Sequence, residues 1–475
     1  MIEEKGRKTK IVCTIGPASE SPQTLEALIQ AGMNVARLNF SHGTHEEHLR
    51  KIQTIREISE RLRQPVAILQ DLGGPKIRIG MMKEGGVELK RGKEFSLTNQ
   101  VLIGDETKAT VTYPTLPKEV RPEDRILLAD GTIELKVLES DGKNVHCQVI
   151  VGGILTSHKG MNFPTRTPLA SAFTEKDHKD LLFGIQHGVD LVSLSYIQRA
   201  DDIEGVKRIL RKESADIPII AKIERKEALE NIDEILLASD GIMVARGDLG
   251  LETPIEKIPN VQKKLIRKAN ALGKPVITAT QMLRSMVDHT QPTRAEVTDI
   301  VNAIYDGTDA VMLSEETAIG QFPVEAFQMM AKIAQSAEEE FPHPLFLRRE
   351  MDEGMNLQQA ISQAASLLAE EVGAKVIVTP TESGSTARWV SRLRPRQPIL
   401  ALSRHLSTIR RLNLCWGVYP ILVSEWKDTD EMLERSKRLP KELEMASKGE
   451  KIVIIAGVPI SIPGTTNLIK VEIVE

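Results

Sequence analysis

A chain of 475 residues is longer than one ordinary hydrophobic core serves, so two or three domains are expected. With 41% hydrophobic and 27% charged residues and a formal net charge of −4, the composition is that of a soluble globular protein, with no general basic field for nucleic acid and no apolar run of membrane-spanning length. Cys13, Cys147 and Cys415 stand far apart with no CxxC pair, which argues against a disulfide framework or a structural zinc site; with no export or anchoring signal at the charged N-terminus, the expected location is cytoplasmic.

From Lys10 onward, short β-rich apolar runs alternate with longer amphipathic ones, the pattern of a parallel sheet covered by helices. Strands are expected over 10–16, 35–41, 66–72, 190–197, 218–224, 241–247, 275–281 and 309–315. Helices are expected over 21–32, 45–63, 174–188, 200–214, 226–239, 259–273, 293–307 and 323–339, several opening on Ser or Thr and closing on Gly. Eight βα units predict a (β/α)8 TIM barrel, split into residues 1–72 and 169–342.

Residues 73–168 interrupt that rhythm at a length no compact loop reaches. Their short β-branched runs, 87–90, 94–98, 109–113, 125–129, 132–138 and 145–151, predict an inserted all-β domain. Because it leaves from the C-terminal end of a barrel strand, it is placed to act as a lid. Residues 343–475 predict a small C-terminal α/β domain.

Ionisable residues at the ends of buried strands need partners, and they mark the chemistry. Lys222 and Glu224, two apart, share a face, as do Arg246 and Asp248. Standing alone these would be buried salt bridges. However, Arg37, Asn39 and Ser41, then Asp71, Thr278 and Thr280, and Ser314 and Glu316 crowd the other strand ends, with Arg78 just beyond the third. Cations, hydroxyls, and the carboxylates of Glu224 and Asp248 able to hold a hard divalent ion together make a kit for phosphoryl transfer.

Several of these stretches carry a resemblance. Thr14-Ile-Gly-Pro-Ala-Ser19, Asn34-Val-Ala-Arg37-Leu-Asn39-Phe-Ser41-His42-Gly43, Ala221-Lys222-Ile-Glu224, Met243-Val-Ala-Arg246-Gly247-Asp248-Leu-Gly250, Ala279-Thr280-Gln-Met-Leu283 and Val311-Met-Leu-Ser314-Glu-Glu316-Thr-Ala318 are similar, in order, to motifs of the pyruvate kinase family. The resemblance runs over essentially the whole chain. It implies a homotetramer with an allosteric domain and phosphoryl transfer from phosphoenolpyruvate to ADP giving pyruvate and ATP, the last step of glycolysis. A catalytically silent scaffold, or an enolising lyase or aldolase on a metal-dependent barrel, would share parts of the pattern.

Roles carried over from the family fall on matching residues. Glu224 and Asp248 would bind Mg²⁺ or Mn²⁺. Arg37 would hold the substrate phosphate and Lys222 would stabilise the transferring group and the enolate. The Gly247 and Asp248 backbone would receive the carboxylate, and Thr280, with Ser314 and Glu316, would serve protonation. Arg78, Lys159 and His42 would meet the nucleotide phosphates. Thr381, Ser383, Gly384, Ser385 and Thr386 resemble the loop that takes the phosphate of an activator, with Glu382 as a departure from the hydroxyl often found there. Asn39, Ser41, Asp71 and the Leu72 backbone correspond to a K⁺ position, but Lys76 stands where K⁺-dependent members have Glu. Its ammonium is expected beside Asp71, so that K⁺ is not required.

Overall fold

Eight strands, β1 (Lys10–Thr14), β2 (Val35–Asn39), β3 (Ala67–Asp71), β4 (Leu191–Leu194), β5 (Ile219–Ile223), β6 (Gly241–Ala245), β7 (Val276–Ala279) and β8 (Ala310–Leu313), pair in parallel and in sequence order, and β8 closes onto β1 with Lys10 opposite Ala310. The computed structural model describes residues 6–165, 172–347, 356–459 and 466–475. Ser21, Thr174 and Thr293 cap their helices as expected, Thr44 caps the helix that starts at His45, and Gly307 ends one in the left-handed conformation, φ 95°. Among the described residues no helix is long and apolar enough to cross a membrane.

Side chains alternate along a strand, so each strand sends one row into the barrel. The inward rows begin apolar: Val12, Val35, Leu69, Leu191, Ile220, Met243, Ile277 and Met312 form one buried cluster, joined by Leu414 from the C-terminal domain. Two residues further along, the same rows turn polar at Thr14, Arg37, Asp71, Ser193, Lys222 and Ser314. A dry floor and a charged mouth thus follow from one period-two pattern on a closed sheet.

Beyond β3 the chain enters a β unit with its own core, including Phe95, Leu97, Ile126, Leu135 and Cys147. Its six-stranded sheet runs in the order Met161–Asn162, Arg125–Leu128, Ile133–Ser140, Asn144–Val151, Glu94–Thr98 and Lys108–Thr110, and Val87–Leu89 pairs separately with Gly153–Leu155. The turn at Gly131, φ +83°, meets the barrel: a Cβ there would lie 2.8 Å from Leu251 Cδ2. The expected division at 168 lies outside the described residues. The C-terminal domain carries a five-stranded sheet, with Val418–Leu422, Ile399–Ser403, Val376–Pro380 and Lys451–Gly457 parallel and Thr466–Ile473 antiparallel at the edge. Phe346, just past the expected boundary at 343, packs into the barrel core.

Two expectations are corrected. The sixth strand stops at Ala245, and Arg246–Glu252 form a helix, so Arg246 and Asp248 lie on a first helical turn and share no strand face. The expected helix 226–239 is broken at Asn231 into Lys226–Glu230 and Ile232–Ala238.

Candidate active site

Asp71, at the end of β3, is the hub of the mouth. Its Oδ2 accepts Arg37 Nε at 2.8 Å and also Arg37 Nη2; its Oδ1 accepts Ser193 Oγ at 2.7 Å and faces Lys222 Nζ at 3.4 Å. Arg37 Nη1 continues to Thr14 Oγ1 at 2.8 Å. Lys222 Nζ donates to Ser195 Oγ at 2.7 Å and pairs with Glu224 Oε1 at 2.8 Å, while Glu224 Oε2 accepts the Tyr196 N–H at 2.8 Å. The period-two pairing of Lys222 with Glu224 is therefore present, with Asp71 as a second acid on the same ammonium.

Electrostatics follow from burial and these pairs. Burial opposes charge on Lys222, but Asp71 and Glu224 overcome it and hold the ammonium well above the usual lysine range. Asp71 is held below the usual carboxylate range because Lys222 and Arg37 outweigh its burial. Glu224 is pushed up, first by burial, which Lys222 opposes, and then by Asp248. Asp248 also raises Tyr196, after burial. Glu224 and Asp248 thus repel each other even with Lys222 in place, and a hard divalent cation would relieve that repulsion. Among the described residues no set of three or more His, Cys, Asp or Glu converges as a metal cage. A two-carboxylate donor set fits a cation that shares its remaining positions with substrate oxygens and water.

Beyond β7, Thr280 and Gln281 take left-handed conformations, φ 70° and 57°. A β-branched residue held there costs of order 1–3 kcal/mol and marks a shaped position. Arg246 holds it: Nη2 donates to Thr280 O at 2.7 Å, Nε to Ala279 O at 3.2 Å, and Nη1 pairs with Asp299 at 2.7 Å. Thr280 Oγ1 accepts the Gly247 N–H at 2.9 Å. At β8, the Glu316 carboxylate accepts the Leu283 and Ser314 N–H groups at 3.0 and 2.7 Å, whereas Ser314 Oγ is buried without a partner. Glu316 thus shapes the loop, and Ser314 keeps a free hydroxyl.

At the neck of the inserted domain, Arg78 Nη1 donates to His158 O at 2.9 Å, and Lys76 Cε lies 3.2 Å from where a Cβ on Gly160 would stand. The His42 imidazolium is disfavoured by burial and then by Arg78, Lys76, Arg37 and Lys176, which is the signature of a cationic pocket. Lys159 is exposed, and its carbonyl accepts the Ile79 N–H at 2.9 Å.

The Asp71 oxygens are engaged by Arg37, Ser193 and Lys222, and Lys76 lies against Gly160 at the neck. Of the other K⁺-position residues, Asn39 Oδ1 accepts the Ser41 N–H at 3.1 Å and Leu72 O accepts Ser195 Oγ at 2.8 Å.

In the C-terminal domain, Thr381 Oγ1 accepts the Gly384 N–H at 3.0 Å and Thr386 Oγ1 meets Thr466 Oγ1 at 2.7 Å, while Ser383 is exposed and Ser385 half-buried. Glu382 pairs with Arg404 at 3.1 Å and His405 at 2.7 Å. The sequence reasoning missed Ser193, Ser195 and Tyr196. Two serines spaced by two at the end of an apolar strand were the available signal.

Comparison with known proteins agrees with this geometry. Residues 6–327 match the pyruvate kinase barrel-domain model and residues 359–472 the pyruvate kinase alpha/beta-domain model. The chain is similar to pyruvate kinase 2 of Synechocystis, 48% identical over 99% of this chain and 80% of that protein, and to the pyruvate kinase of Clostridium acetobutylicum, 44% identical over 99% of this chain and all of that one. The crystal structure of a pyruvate kinase from Cryptosporidium parvum superposes with a TM-score of 0.93 at 37% identity, covering 99% of this chain and 97% of that one. The chain belongs to the pyruvate kinase family and is a phosphotransferase of that kind.

Proposed function

We propose that the mouth of the barrel moves a phosphoryl group from phosphoenolpyruvate to ADP, with Glu224 and Asp248 holding Mg²⁺ or Mn²⁺. The observation that carries this reading is the buried Lys222 ammonium, kept charged by Asp71 and Glu224 beside a second carboxylate. When bound, the cation would neutralise charge on the phosphate and carboxylate oxygens. Arg37, fixed by Asp71 and Thr14, orients the phosphate. Lys222 offsets the negative charge that grows on the transferring group and the enolate oxygen. The Gly247 and Asp248 amides, on the first turn of Arg246–Glu252, receive the substrate carboxylate. Thr280, held in its strained conformation, and the unpartnered Ser314 hydroxyl direct a proton to carbon, with Glu316 fixing Ser314.

Arg78, Lys159 and His42 at the neck bind the nucleotide phosphates, so that closure of the 73–168 lid completes the site. Lys76, which makes no ion pair among the described residues, adds its charge to this pocket instead of to Asp71. It stands in for K⁺ at the substrate phosphate, leaving Asn39, Ser41, Asp71 and Leu72 without a monovalent ion to hold. The 343–475 domain, through Thr381, Ser383, Gly384, Ser385 and Thr386, senses a phosphorylated effector within a cytoplasmic homotetramer working in glycolysis. A coupled assay for ATP from phosphoenolpyruvate, ADP and Mg²⁺ tests the reading. Pyruvate appearing without ATP, or no turnover at all, would sink it.

A further inference from the structure

Next to Glu224 in the chain, Arg225 donates Nη1 to Glu252 Oε1 at 2.7 Å, an ion pair whose side chains are 6% and 1% exposed. No step at the mouth uses it. Arg225 Nε and Glu252 Oε2 are buried and find no hydrogen-bond partner among the described residues, so losing either residue strands the charge of the other. Burial pushes the Glu252 carboxyl up to about 7; Arg225 opposes this, and Glu227 and then Asp248 add to it. A buried pair is weak evidence for stability as such, which turns attention to what it holds in place.

Glu252 is the last residue of the helix Arg246–Glu252, one turn beyond Asp248 and on the same side of it. Seven residues are too few for a helix to hold itself, so anchors at its two ends set its direction. Arg246 anchors the first turn through Thr280 O and Asp299, and Glu252 anchors the last through Arg225. Arg225 in turn lies over the Tyr196 ring at 4.9 Å, and Tyr196, held at φ 59°, gives its N–H to Glu224. One guanidinium thus touches both the helix that carries Asp248 and the residue that fixes Glu224. The lid rests on the same two supports: a Cβ on Gly74 would lie 2.9 Å from Tyr196 Cδ2, and one on Gly131 2.8 Å from Leu251 Cδ2.

We infer that Arg225 and Glu252 are positioning residues for the divalent cation and the substrate carboxylate: their ion pair sets the separation between Glu224 and the helical turn that presents Asp248 and the Gly247 amide. They act through Tyr196 and through the helix, not on the reacting atoms. Glu224 and Asp248 repel each other, which drives that turn outward, and a fixed strut keeps the two carboxylates close enough to share one ion. The inference rests on the assignment of Glu224 and Asp248 to the cation.

Mn²⁺ binding to the full chain, read from its paramagnetic signal without nucleotide, tests this. Arg225→Met and Glu252→Leu should each weaken Mn²⁺ binding about 10-fold or more, the scale of removing a group that orients a metal ligand. KM for phosphoenolpyruvate should rise with it, while kcat at saturating Mn²⁺ and substrate falls by a smaller factor. The double variant Arg225→Met with Glu252→Leu strands no charge, so it keeps the test open if a single variant fails to fold, and it should still bind Mn²⁺ weakly. Arg394→Met, which strands a buried charge at the barrel floor, is the control for lost stability alone and should bind Mn²⁺ as the wild type does. Wild-type Mn²⁺ affinity in the double variant, or equal weakening in Arg394→Met, would overturn the inference. Glu224→Gln separates this from failure of the underlying reading: unchanged Mn²⁺ affinity there would take the cation away from Glu224, and the inference would fall with it.

Discussion

At the mouth of the barrel, Lys222, Asp71, Arg37 and Glu224 end largely on one another, whereas at the floor Lys10 and Asp309 end largely on the main chain and Arg394 divides its bonds between carbonyls and Asp309. Lys10 Nζ donates to Val418 O at 2.6 Å, Arg394 Nη2 to Gly307 O at 2.7 Å, and Asp309 accepts the Val276 N–H at 3.0 Å and the Trp416 N–H at 3.1 Å. Both regions bury charge, and composition alone would not separate them. A charge bonded to fixed peptide groups is locked into the scaffold. A charge balanced by other side chains sits in a network that an incoming phosphate or cation can rearrange.

Substitutions can break this contrast. The largest effect on rate is expected at the mouth: Lys222→Met should lower kcat by about 10³-fold or more, the scale of losing a principal charge-stabilising group. Rates measured at saturating phosphoenolpyruvate check this, since an effect confined to KM would make Lys222 a binding residue. Next, Glu224→Gln or Asp248→Asn should cut the rate by about 10²-fold and weaken Mn²⁺ binding, read directly by its paramagnetic signal.

The floor should respond in the opposite way. Arg394→Met leaves Asp309 without its ion-pair partner in the interior and should cost about 3–5 kcal/mol in chemical denaturation with kcat unchanged. A large loss of kcat in a folded variant would erase the distinction between the two ends.

Smaller effects sharpen it. Lys76→Glu should lower activity in tetramethylammonium buffer by about tenfold, restored by K⁺, on the scale of one uncompensated charge in a partly screened site. A wild type already inactive without K⁺ would refute this. Lys10 should give the smallest change. Burial first, and then Arg7, lowers its pKa from 10.5 to about 7, so the folded state favours the neutral amine. The stability this contributes is complete above pH 10.5 and is lost as pH falls towards 7. Lys10→Met should therefore flatten the rise in stability between pH 7 and 9, measured as urea midpoints.

The helix and strand periods were legible because they are local: alternation of apolar runs identified all eight barrel strands, and capping residues such as Ser21, Thr174 and Thr293 marked helix starts. The end of β6 was not, because Arg246 and Gly247 can continue a strand or start a helix, and the hold of Arg246 on Thr280 O and Asp299 from other units favours the helix.

By itself the sequence determined the barrel with its insertion and C-terminal domain, the shared face of Lys222 and Glu224, and the motifs that place the chain in its family. Only the tertiary structure decided that Asp71 joins Arg37 to Lys222, that Ser193, Ser195 and Tyr196 complete the network, and that Lys76 lies against Gly160 of the inserted domain. The physical reason is closure. Spacing along a strand fixes which face a side chain takes, but which strand ends approach one another depends on how eight tilted strands meet around the barrel and how a second domain docks beneath them.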